Sequence, residues 1–99
     1  MLFRSVTALL NEGTALHGLG KFDDAISCYD RALSLDKKCA MALAYKGLSF
    51  GEQGLINDAL DCFKKALDID KDYDMAQISK DIAEKLLQES NQDSIRKNS

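Results

Sequence analysis

The chain has no proline and no tryptophan, and among its 99 residues only one histidine and three cysteines. Proline stops a helix by removing a backbone donor and clashing with the preceding turn, so any helix ends here are set by other residues. Cys28, Cys39 and Cys62 cannot all pair within one chain, and none forms the close C-x-x-C spacing of metal or redox motifs. Reduced thiols are expected. Basic residues are in the minority, 13 Lys and Arg against 16 Asp and Glu for a net charge of -3. They are interleaved with acids, which excludes the concentrated basic face that nucleic-acid binding needs. The opening MLFRSVTALL is apolar, but it lacks a basic start and is far too short to span a bilayer. A cytoplasmic protein without a membrane partner is expected. Motifs such as G-x-S-x-G, H-E-x-x-H and G-x-x-x-x-G-K are also missing, so no catalysis, cofactor or metal is expected.

What is present is a composition of 45% apolar and 29% charged residues, that of an ordinary folded domain. The length suits one core rather than two.

An internal repeat organises that core. Displaced by thirty-four residues, the chain matches itself at eleven positions, from Ala8 with Ala42 to Lys37 with Lys71, too many for coincidence. GKFDDAISCYDRALSLDK returns as GLINDALDCFKKALDIDK, with Tyr29 matched by Phe63 and Leu35 by Ile69. Small and apolar residues recur at helical spacing in each unit, first Ala8, Leu9, Ala15 and Leu16, then Ala25, Ile26, Tyr29 and Ala32. Each unit therefore reads as two amphipathic helices. Gly20 and Gly54 fall where the first helix must end, and Asp23 and Asn57 are placed to cap the second. Asp24 and Asp58 add favourable charge to its first turn.

Gly13, Leu16, Ala25, Tyr29 and Ala32, with Gly47, Phe50, Ala59, Phe63 and Ala66, resemble the tetratricopeptide repeat, whose period is 34. Each glycine allows the close approach of a partner helix, each alanine does the same from the other side, and the aromatic ring fills the wedge. The sequence departs from the family pattern at Leu9 and Leu43, usually Trp or another large residue. It departs again at Glu12 and Lys46, usually Leu, and at Lys37 and Lys71, usually Pro.

The resemblance implies an all-α, right-handed helical-repeat solenoid of about five antiparallel helices. Repeat one spans 6–39, repeat two 40–73 and a capping helix 74–89, making one domain over 1–89 with a polar, frayed tail over 90–99. It also implies a protein–protein interaction scaffold whose first helices line a concave groove. Carried over residue by residue, the partner-binding positions are Leu10, Asn11, Thr14, Tyr45, Leu48, Met75, Ile78 and Ile82, flanked by His17, Ala44, Ser79 and Leu86. This surface is apolar and nearly uncharged, as partner sites are. The alternative is that the last helix tilts into the groove and buries it, or that Leu48 and Ile82 meet as core.

Relatives that grip acidic chaperone tails use a clamp of Lys, Asn and Arg; here Leu10, Thr14, Tyr45, Met75 and Ser79 stand at the matching places. A terminal carboxylate would lie unpaired on an apolar floor, so the expected partner is an amphipathic helix or extended segment of another protein. The competing reading is self-association, as a symmetric or helix-swapped homodimer through the same face. Asn11 matches an asparagine that some relatives use to hold a ligand backbone. His17 reads as a surface residue, Cys28 and Cys62 as packing residues, and Cys39 as the more reactive thiol.

Overall fold

The computed structural model describes the backbone of residues 5–97 and the side chains of residues 5–90. Among these residues there are five helices and no strand: α1 (Val6–Gly18), α2 (Phe22–Leu35), α3 (Ala40–Glu52), α4 (Ile56–Ile69) and α5 (Asp74–Lys97). Helices α1 with α2, and α3 with α4, pack as two hairpins; α3 also packs on α2 and α5 on α4, so the hairpins stack. This is the all-α helical-repeat arrangement that the thirty-four-residue period predicts.

Each helix end has an identifiable cause. Ser5 caps α1, its hydroxyl accepting from the Ala8 amide at 3.1 Å. At the other end Gly20 takes φ 79°, which lets its amide reach the His17 carbonyl and the Lys21 amide reach Leu16, both at 2.9 Å. Gly54 repeats this with φ 80° after α3. The expected caps of α2 and α4 differ. Lys21 and Leu55 stand at the capping positions without a side-chain bond, which puts Asp23 and Asn57 inside the first turn. Asp23 instead accepts from the Gln53 side-chain amide at 2.7 Å, joining the start of α2 to the end of α3.

Lysine stands where the family has proline, at Lys37 and Lys71, and the aspartate before each ends the helix. Asp36 and Asp70 leave helical geometry, with φ -144° and -135°, and their carboxylates accept from the amides of Lys38 and Asp72 at 3.0 and 3.1 Å. An aspartate that bonds the backbone two residues on offers the chain a turn in place of another helical step. The last helix also departs from the sequence reading. It passes Glu89, where a frayed tail is expected, and runs to Lys97. Propagating an existing helix requires no new nucleus, so residues without apolar periodicity can extend it.

The core is built mostly from alanines that let helices approach, with a few large side chains between them. Ala25, Ala32, Ala42, Ala44 and Ala66 are fully buried. Leu9 and Tyr29 of the first unit pack with Ala25, Ala32 and Ala42, and Phe63 of the second packs with Ala59 and Ala83. Burying such a side chain is worth about 1.5–3 kcal/mol, so these three contribute much of the apolar stabilisation. Gly13 and Gly47 face the two rings; a Cβ on Gly13 would meet Tyr29 Cδ1 at 2.9 Å, and one on Gly47 would meet Phe63 Cε1 at 2.5 Å. Lys46, where the family has leucine, forms an ion pair with Asp30 on α2 at 2.6 Å and lies over the Phe50 ring.

Candidate functional groove

Helices α1, α3 and α5 are the first helices of successive units, and their side chains, with Tyr29 from α2 and Ile56 and Phe63 from α4, form two adjoining hollows. Thr14, His17, Tyr29, Tyr45 and Leu48 line the first, of about 160 Å³. The second, of about 210 Å³, lies between Leu48, Gly51, Ile56, Phe63, Ile82 and Leu86, with Glu52 at its edge. Leu48 lines both and is half-buried.

The first hollow is walled by polar aromatic groups. The Tyr29 and Tyr45 rings lie 5.9 Å apart between centroids. Burial, reinforced by Tyr45 and Cys28, pushes the Tyr29 phenol up to about 12, so it keeps its proton at neutral pH. Thr14 spends its hydroxyl on its own helix, donating to the Asn11 carbonyl at 2.9 Å. His17 is not the surface residue expected from its position near a helix end. Its Nδ1 is 2.8 Å from the hydroxyl of Ser49, which is fully buried, and its ring packs edge-on against Phe22 at 5.0 Å. This bond ties α1 to α3 across thirty-two residues. The thirty-four-residue comparison shows Ser49 in place of the Ala15 of repeat one, but Ala15 is exposed and only the structure shows Ser49 to be buried.

The structure separates the predicted groove residues into three groups. Thr14, Tyr45, Leu48 and Ile82 come together around the two hollows. Leu10 does not join them: it is 9% exposed and packs with Leu9, Tyr29 and Ala42 in the core. Ala44 is likewise core, and Met75 is half-buried against it and Ala76. Asn11 and Ile78 are exposed and line neither hollow. The last helix does not fill the groove, since Ile78, Ile82 and Leu86 remain 60%, 55% and 46% exposed. A wider hollow of about 400 Å³ lies away from this face, between Leu33, Leu43 and Ile69, with Lys37, Lys65 and Asp68 around it.

Among the described residues no group of three or more His, Cys, Asp and Glu could hold a metal ion. No helix among them is long and apolar enough to cross a membrane.

Stacked helical hairpins with a groove along their first helices define an interaction module of the helical-repeat class. The sequence matches the tetratricopeptide repeat over residues 6–39 and again over 42–73. The chain belongs to the tetratricopeptide-repeat family. Its fold is similar to the second such domain of Spaghetti (RPAP3), solved bound to the HSP90 peptide SRMEEVD, with TM-score 0.82 and 22% identity over 89% of this chain and 82% of that one. The Sgt2 domain from Aspergillus fumigatus gives TM-score 0.82 at 18% identity, covering 89% of this chain and 60% of that one. The Arabidopsis OM64 domain gives 0.78 at 22%, covering 82% and 67%. No curated protein matches the sequence.

Proposed function

We propose that this protein is an adaptor that binds a helix or extended segment of another protein in its concave groove, by apolar burial rather than by clamping a terminal carboxylate. The observation that carries the reading is the pair of open hollows sharing Leu48, with Tyr45 and Ile82 on either side. Apolar walls that water fills in the free protein gain about 25 cal/mol for each Å² a partner covers. The Spaghetti domain was solved with an acidic peptide. Here the positions that would meet such a ligand hold Leu10, Thr14, Tyr45, Met75 and Ser79, and Leu10 is buried besides. None supplies a cation, so an acidic terminus has no partner on this floor.

The test is affinity capture with wild type beside Leu48→Asp and Ile82→Asp, with circular dichroism run on all three. Loss of partner from both variants at unchanged helicity is expected; undiminished capture by Leu48→Asp rejects the groove. A second reading draws on the exposed stripe Ile78, Ile82 and Leu86 along α5, spaced to form one row and suited to a second copy of the chain. Light scattering over a concentration series decides it, because a mass that stays monomeric at the highest concentration rules out the homodimer.

A further inference from the structure

The two hollows are the same construction made twice. Thr14, His17, Tyr29, Tyr45 and Leu48 of the first each stand thirty-four residues before a residue of the second: Leu48, Gly51, Phe63, Ser79 and Ile82. The replacements strip the second hollow of the imidazole and both phenols of the first. A threonine becomes leucine, the buried phenol becomes phenyl, a tyrosine shrinks to serine, and the imidazole that occupies the first hollow disappears altogether.

Gly51 is where the space opens. His17, its counterpart, projects a ring held by Ser49 and Phe22. A Cβ built on Gly51 would meet nothing within 4 Å, and Ser49's own counterpart, Ala83, offers no hydroxyl to fix a ring. Glycine inside a helix is unfavourable relative to alanine. Gly51 has neither the positive φ of Gly20 and Gly54 nor the close approach of Gly13 and Gly47 that would account for it. What it leaves is a hollow walled by Leu48, Ile56, Phe63, Ile82 and Leu86. Its volume of about 210 Å³ is below the ~300 Å³ at which small-molecule sites begin and suits a single large side chain. The ionised group at its edge is Glu52, and among the described residues no lysine or arginine lines it.

We propose that this hollow is the anchor socket of the groove, taking one large apolar side chain from an internal partner segment that carries a lysine or arginine beside it for Glu52. The inference rests on the groove reading above and adds its chemistry. A carboxylate on the ligand meets Glu52 unfavourably, whereas a cation is drawn to it, so the socket selects basic-apolar over acidic-apolar segments.

The probes are phenethylammonium and hydrocinnamate, which carry the same phenyl ring and two-carbon chain with opposite charge. Titration of each is followed through the backbone amide resonances of Gly51, Ser79 and Ala83 by NMR. Phenethylammonium is expected to bind about threefold more tightly, the scale of one partly exposed charge pair. Glu52→Gln should bring the two to equal affinity. Gly51→Leu should abolish binding of both while the melting temperature holds or rises, because its side chain enters open space. Tighter or equal binding of hydrocinnamate by the wild type, absence of saturable shifts, or binding that survives Gly51→Leu overturns the socket. These titrations use no protein partner. A failed Leu48→Asp capture test would therefore reject the groove reading without altering their outcome, and a failed titration would leave the groove standing without this socket.

Discussion

Gly47 lies against the ring of Phe63 with no room for a side chain between them: a methyl group on Gly47 would stand 2.5 Å from Cε1. Four residues further on, Gly51 faces open space. The same substitution should therefore act in opposite directions at the two sites. Alanine at Gly51 is expected to stabilise the protein by about 0.5–1 kcal/mol through helix propensity alone. At Gly47 the same gain is outweighed by overpacking of about 1–3 kcal/mol, because the added methyl would stand 2.5 Å from Cε1 of the Phe63 ring, which is 3% exposed and must be displaced to admit it. Urea unfolding midpoints should move up for Gly51→Ala and down for Gly47→Ala, and adding Phe63→Leu to the latter should recover part of the loss.

The His17–Ser49 bond should be measurable as a link between repeats. Ser49→Ala removes the hydroxyl from a fully buried site whose buried counterpart thirty-four residues on, Ala83, is alanine. A loss of about 0.5–1.5 kcal/mol is expected in urea unfolding. In a double-mutant cycle with His17→Ala the two losses should be non-additive; additive losses would mean that the bond contributes nothing.

Tyr29 should make the protein sensitive to alkali. Its phenol is raised from 10.0 to about 12, first by burial and then by Tyr45 and Cys28. The unfolded chain therefore releases this proton before the folded one does. The stabilisation is complete below pH 10 and is lost as pH rises from about 10 to about 12. Tyr29→Phe, which reproduces the ring of Phe63, should flatten the fall in melting temperature across that window. An unchanged slope would place the alkaline sensitivity elsewhere.

The cysteines should divide by accessibility. Cys28 and Cys62 are buried, and burial pushes the Cys62 thiol up, against the opposing pull of Lys46 and Lys65. Cys39, at the junction of the repeats, is half-buried. Limited alkylation with iodoacetamide followed by mass spectrometry should find Cys39 modified first, by about tenfold or more, with Cys62 reacting only as the protein unfolds.

Much of the architecture is legible in the chain because a helical repeat depends on local spacing. Gly13 and Tyr29, or Gly47 and Phe63, form a fixed interval whose packing consequence can be stated before any coordinate is known. The caps were less legible. Asp23 and Asn57 are good capping residues by type, yet Gly20 and Gly54 end one helix so tightly that the next begins before them. Asp36 and Asp70 perform as turn formers the task the missing proline would have had. The groove was legible only in part, since helical spacing specifies which residues share a face but not how deeply a neighbouring helix covers them.

The sequence alone determined the period, the two-helix unit and the alternation of glycine, alanine and ring that lets the units stack, because each depends on residues a few turns apart. Only the tertiary structure decided which groove residues remain open. Leu10 and Ile78 each lie one repeat of thirty-four residues from Ala44, on either side of it, yet Leu10 is 9% exposed and Ile78 60%. The physical reason is that α3 lies over α1's edge and covers Leu10, while no described helix lies in the corresponding place beside α5.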